Sequence, residues 1–239
     1  MAALLKAFGA QSDAARASQK AKRNAFLKTL RESGAPRRNR APKGAIAPFG
    51  GRKELKYVDV AQANYACNTT GSVTALNLIA VGDDNTTRDG RQVTIKSVQV
   101  RGSLYPEDGT TTPSKVRIML VWDNAVNSGA IATIAQILTA ATANSFPLID
   151  NAQRFTILVD RTYTIGGVDT TATQSYAMAP TVADVEIFKR IDAVTQYSGT
   201  TAAIGSIQNG GLLMVTIGSN GAGTAVTFTA ATRVRFTDN

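Results

Sequence analysis

The sequence predicts an all-β fold, an eight-stranded jelly-roll sandwich with one short helix between strands, preceded by a basic N-terminal arm. Three observations lead there. From residue 57 onward, apolar and polar residues alternate at period 2 in short runs separated by Gly, Asn, Asp and Thr. Eight such runs in about 180 residues, joined by long connections, suit two packed sheets better than one open one. Charge also splits: residues 1–56 hold 14 Lys and Arg against 3 Asp and Glu, a net +11, while the remaining 183 residues carry 12 against 14, a net −2. The apparent +9 of the whole chain therefore belongs to one segment.

Residues 1–33 are rich in Ala, Lys, Arg, Gln and Leu and stop at Ser33, Gly34, Ala35 and Pro36. Their apolar residues (Leu4, Leu5, Phe8, Phe26, Leu27, Leu30) are too few for a core, so a helix here is expected to form against a partner. Residues 34–56 interleave Pro36, Pro42, Pro48 and four glycines with basic side chains, which is linker composition. The body is then 57–239. Strands are expected near 73–81, 92–105, 115–123, 155–165, 172–179, 184–191, 211–218 and 225–236. In 92–105 the apolar phase slips from Val93 and Ile95 to Val98 and Val100, which predicts a bulge near Lys96 and Ser97. In 115–123, Val116, Ile118, Leu120 and Trp122 share one face, yet Met119 and Val121 make the other partly apolar. Ile131, Ile134, Ile137 and Leu138 have helical spacing and predict one short helix over 131–142. The stretches 125–132, 139–146 and 195–207 are small, uncharged and flat enough to pack against another copy of the chain.

Composition narrows the chemistry. With no histidine, triads that need an imidazole and His-ligated metals are ruled out, and the lone Cys67 makes neither an internal disulfide nor a multi-thiolate site. A paired-carboxylate hydrolase would draw on Glu107 and Glu186, but Glu107 sits in a turn-like Tyr105–Gly109 segment and aromatics are 6% of the chain. Cys67 and Trp122 read as packing residues, and the chain reads as no enzyme. The same scarcity of exposed aromatics weighs against the main alternative, a carbohydrate-binding jelly roll with a basic tail. No apolar run is long enough to span a membrane, and no secretory leader is recognisable.

The basic segment suits a polyanion. Lys6, Arg16, Lys20, Lys22, Arg23, Lys28, Arg31, Arg37, Arg38, Arg40, Lys43, Arg52 and Lys53 are the expected nucleic-acid contacts, since neutralised phosphates release counterions without demanding a fixed register. Arg37, Arg38 and Arg40 form the densest group, a cluster that host import factors could also read if assembly takes place in the nucleus. A solubilising tail and an Arg-containing transit peptide are the competing readings. The acidic loop Gly82–Gly90 does not have EF-hand spacing, and its aspartates are expected to serve the turn and to pair with Arg88 and Arg91.

Gly82-Asp83-Asp84-Asn85-Thr86-Thr87-Arg88-Asp89-Gly90-Arg91-Gln92-Val93, continuing through Val98-Gln99-Val100-Arg101-Gly102, resembles the segment joining the first two body strands of satellite tobacco necrosis virus coat proteins. It also looks like capsid proteins of small circular Rep-encoding single-stranded DNA (CRESS-DNA) viruses. The likeness continues at Val121-Trp122-Asp123-Asn124, at Gln153 to Asp160 and at Phe236-Thr237-Asp238. It implies a shell domain, sixty copies of which form a T=1 icosahedral virion, with the arm inside on a single-stranded DNA or RNA genome. It further implies calcium at subunit contacts, held by the Asp238 carboxylate and by the loop at Asp89 and Gln92, although no cofactor is required. Asp89 stands where the satellite virus has a serine, and a carbonyl ligand survives that change only if the loop path is kept.

Overall fold

A computed structural model of the chain describes residues 18, 20–22, 24–25, 54–107, 110, 112–126, 129–167 and 181–238. The chain divides into two units, Met1–Gly51 and Arg52–Asn239. In the first, Ser18, Lys20, Ala21, Lys22, Asn24 and Ala25 are helical and exposed. No helix among the described residues is long and apolar enough to cross a membrane.

The second unit holds nine strands: β1 Lys56–Cys67, β2 Ser72–Ala75, β3 Gln92–Pro106, β4 Ser114–Asp123, β5 Phe155–Ile165, β6 Ala183–Tyr197, β7 Ile207–Asn209, β8 Gly211–Gly218 and β9 Val226–Asp238. They form a five-stranded sheet in the order β1-β9-β3-β6-β7 and a four-stranded sheet in the order β2-β8-β4-β5. Setting aside the three-residue β7, the antiparallel pairs are nested, first with last (β1–β9), then β2–β8, β3–β6 and β4–β5. That is one long ribbon rolled into two sheets, closed by the β3–β9 and β4–β8 ladders. The nesting is the jelly-roll order, as expected from the sequence.

The core lies between the sheets. Val93, Ile95, Val98 and Val100 of β3 are fully buried on both sides of a register shift between Ile95 and Ser97, which is the bulge the phase slip predicts. Val116, Ile118, Leu120 and Trp122 join this core, together with Cys67, Phe228 and Phe236. Met119 and Val121 point the other way, into a second cluster with Leu213, Val215, Ile217, Ile134, Ile137 and Leu138. The apolar outer side of β4 is therefore covered by the chain's own 131–148 segment, not left open for another copy.

Four expectations differ in detail. β1 is a strand the sequence reading passed over, because the register shifts between Val60 and Ala63 and moves the apolar phase from Val58 and Val60 to Ala63, Tyr65 and Cys67. Its first residue is Lys56, so the linker expected to run to residue 56 ends before it. β2 stops at Ala75 rather than 81, because the buried Asn77 takes over: its side chain donates to Thr195 Oγ1 (3.0 Å) and the Gly210 carbonyl (2.9 Å) and accepts from the Leu212 amide (2.9 Å). The helix expected over 131–142 is a single turn, α1 (Ile134–Ile137), opened by a Thr133–Gln136 capping box. It ends there because Leu138 turns extended and bridges to Pro147. The strand expected at 172–179 lies outside the described residues.

Candidate arm and metal sites

Asp238, expected to offer its carboxylate to calcium, and Asp89, expected to offer a backbone carbonyl, come from separate parts of the chain. Asp238 ends β9, opposite Val93 at the start of β3. Asp89 lies on the loop that precedes β3, and that loop is tied to β1 by the Tyr57 amide donating to the Asn85 carbonyl (3.0 Å). Between them sits Lys56, whose Nζ donates to Asp89 Oδ1 at 2.9 Å and lies 3.1 Å from Asp238 Oδ2. The Lys56 side chain is 5% exposed, that of Asp238 20% and that of Asp89 58%. Both Asp238 oxygens are buried and accept no well-formed hydrogen bond, so the ammonium is held there by charge as an ion pair. The bond to Asp89, opposed by burial and reinforced by Asp238, raises the Lys56 pKa above its ordinary 10.5.

Within one chain the Asp238 carboxylate, the expected calcium ligand, is already partnered by a protein cation. Calcium takes six to eight oxygens, and here a protein cation occupies the space between the two carboxylates. Gln92, the third residue singled out, lies beside them in the ladder, but it is exposed and pairs through its backbone with Gln196. Among the described residues no group of three or more Cys, Asp or Glu side chains could hold a metal.

The loop is organised from beneath by Arg88, which is fully buried without a carboxylate partner among the described contacts. Its Nε donates to the Ile79 carbonyl at 3.1 Å, its two terminal nitrogens donate to the Gly90 and Gly199 carbonyls, and the guanidinium lies 4.1 Å over the Tyr197 ring. Burial lowers its pKa, an effect that Tyr197 and Asp238 oppose. Arg88 thus serves carbonyls, not the acidic residues of its own loop, while Thr87 does cap the turn at Asp84 (2.8 Å to the amide). Sequence reasoning missed both cations. Lys56 was counted with the arm, though its period-2 spacing to Val58 and Val60 was the available signal; nothing local marks Arg88 as buried.

Of the expected nucleic-acid contacts, Lys20 and Lys22 are described, and both are exposed on the helical stretch. Lys6, Arg16, Arg23, Lys28, Arg31, Arg37, Arg38, Arg40, Lys43, Arg52 and Lys53 lie outside the described residues. Cys67 and Trp122 pack in the core as expected, and burial pushes the Cys67 thiol up to about 12. Glu186 is paired with Arg101 at 3.0 Å on an exposed face.

Residues 45–239 match the family described as satellite tobacco necrosis virus coat protein. The chain belongs to that family. A structural capsid role and a place in the virion follow from that membership. Solved structures similar to the chain include desmodium yellow mottle tymovirus, at 14% identity over 80% of this chain and 91% of that one, with a TM-score of 0.31. Turnip yellow mosaic virus follows at 14% identity, 78% and 94% coverage and a TM-score of 0.30. A Bacillus endospore appendage, described as belonging to a family of disulfide-linked pili, shows 9% identity, 79% and 93% coverage and a TM-score of 0.26. Likenesses this distant carry no weight here; the fold stands on the strand order and the family on its own match. No curated protein matches the chain. The family match begins at residue 45, so most of the basic arm lies outside it.

Proposed function

We propose that this coat protein assembles as a 60-subunit, T=1 shell around a single-stranded DNA or RNA genome, and that its N-terminal arm neutralises the packaged nucleic acid. The observation that carries the reading is the segregation of charge: a coat-protein body of net −2 behind a segment of net +11. Sixty arms bring about 660 positive charges to one volume, enough to offset much of a genome of about one to two thousand nucleotides. Exposed Phe146 and Ile149, 78% and 84% accessible in the single chain, support burial of this loop against other copies. Calcium is not needed in this reading, because Lys56 already stands between the carboxylates.

Deletion of residues 1–52 tests the packaging step. The expected outcome is a folded β body that no longer retains nucleic acid in a salt-sensitive way. Full retention by the truncated protein would remove the arm from the account.

A further inference from the structure

The arm is not the chain's only concentration of positive charge, and the second one is built on the sheet that the arm leads into. Across the outer face of the five-stranded sheet, Tyr57 of β1 stands opposite Arg235 of β9, Arg235 opposite Ser97 of β3, and Ser97 opposite Arg190 of β6. Two arginines thus flank one small residue, their backbones two strand spacings or about 10 Å apart. Other cations on this face are already committed: Arg233 to Asp59 at 2.6 Å, Arg101 to Glu186 at 3.0 Å and Lys96 to Asp192 at 2.7 Å. Arg190 and Arg235 make no close ion pair or hydrogen bond among the described contacts, although the charge of Arg235 adds to that of Arg233 in lowering the Asp59 pKa. Both line a depression of about 470 Å³, along with Lys96, Ser97, Asp192 and Phe188. Phe188 is 54% exposed, a large apolar ring left in water beside guanidinium groups that have no close carboxylate partner.

We infer that this depression is a second nucleic-acid site, in which a phosphate sits between Arg190 and Arg235 over Ser97 and a neighbouring base stacks on Phe188. The chemistry selects a single strand. Arginine forks suit phosphate oxygens, and an exposed ring offers stacking to an unpaired base of any identity. Asp192, the one acid in the depression, is neutralised by Lys96 and does not repel the ligand. The site extends along the sheet past Ala231, a small residue in the walls of both adjoining depressions. Neighbouring depressions of about 320 and 510 Å³ share Arg101 in their walls. The first residue of β1 is Lys56, so the chain's basic segment joins the body at the same end of this sheet. This inference rests on the packaging reading, and it adds that the outer face of the five-stranded sheet is turned toward the genome.

The test uses the full-length chain and a fluorescent thirty-residue oligothymidylate, with affinity read by anisotropy across a salt series. Arg190→Gln with Arg235→Gln should lower the slope of log K against log salt by about 0.7, the share of one neutralised phosphate on a single strand. Phe188→Ala should weaken the oligothymidylate about tenfold and leave inorganic polyphosphate, which has no base to stack, unchanged. A parallel variant, Arg37→Gln with Arg38→Gln and Arg40→Gln, reports on the arm and should lower the slope by about 2.1. An arm variant that loses slope while the sheet variant keeps the wild-type slope overturns the sheet site and leaves the arm reading standing. Loss in the sheet variant alone supports the sheet site and counts against the arm. Equal weakening of polyphosphate and oligothymidylate by Phe188→Ala overturns the stacking role. Near-UV circular dichroism checks that each variant keeps its fold.

Discussion

Replacing Lys56 with methionine keeps an unbranched apolar stem and removes the ammonium that lies between Asp89 and Asp238. The two carboxylates feel this unequally. Asp89 is more than half exposed and exchanges its partner for water, so its share is under about 1 kcal/mol. Asp238 is different, because its oxygens are buried and accept no well-formed hydrogen bond. Stripping the cation from such a group costs about 3 kcal/mol, the lower end for breaking one side of a buried pair. Together these amount to a fall of about 6–16 °C in the melting temperature of a body this size. Lys56→Met with Asp238→Asn should recover most of the loss, since the uncompensated charge is then gone. The pH dependence has a definite sign. A lysine whose pKa is raised in the folded state stabilises fully below its unfolded value, near 10.5, and that stability is lost as pH climbs through the folded value. Wild type should therefore lose its advantage over Lys56→Met only above pH 10.5. Thermal unfolding followed by near-UV circular dichroism at pH 7 and across this alkaline range is the assay. A variant that melts within about 2 °C of wild type at pH 7 would refute the reasoning.

Two further outcomes follow from the same structure. Arg88→Met should cost about 3 kcal/mol or more in denaturant unfolding, because it leaves the Ile79, Gly90 and Gly199 carbonyls without the donor that now serves them; Arg88→Lys should rescue only part, as an ammonium lacks the planar fork. Cys67, buried and with its thiol pushed up to about 12, should resist a thiol-specific disulfide reagent at pH 8 until the protein is unfolded, and rapid labelling of the native protein would show that this end of β1 is open.

Much of the fold was legible because period 2 is a direct imprint of a two-sided strand. The β3 bulge could be placed at Lys96 and Ser97 since burial on both sides of it is complete, and the two apolar faces of β4 gave away a strand covered twice. What covered the second face was not legible. Helical spacing at Ile131, Ile134, Ile137 and Leu138 reflects a segment pressed onto a flat sheet, and only one turn of it is helix. β1 escaped because its bulge breaks the alternation into two short pieces with alanines between them. β2 was read too long because Leu76 and Ile79 are buried like strand residues while Asn77 has left the ladder.

The site was legible in its charge and not in its pairing. Counting residues separates +11 from −2, but it cannot distinguish a lysine bound for phosphate from one that closes a buried ion pair. Lys56 belongs to the second kind, a fact that depends on β1 and β9 being neighbours although 180 positions separate Lys56 from Phe236. Asp89 and Asp238, named as calcium ligands from the resemblance, share Lys56 within one chain, a pairing that no local pattern marks. Arg190 and Arg235 are likewise invisible in sequence, since they meet only through the ladder partners of Ser97.

The central claim is that the arm packages nucleic acid inside a closed shell. Electron microscopy of particles from the full-length chain, with nuclease digestion before and after disruption, tests it most directly. The account predicts uniform particles of sixty subunits whose nucleic acid is protected until the shell is opened, and empty shells or free subunits when residues 1–52 are absent. A full-length chain that stays monomeric at high concentration and moderate salt, or shells whose contents do not depend on the arm, would contradict it.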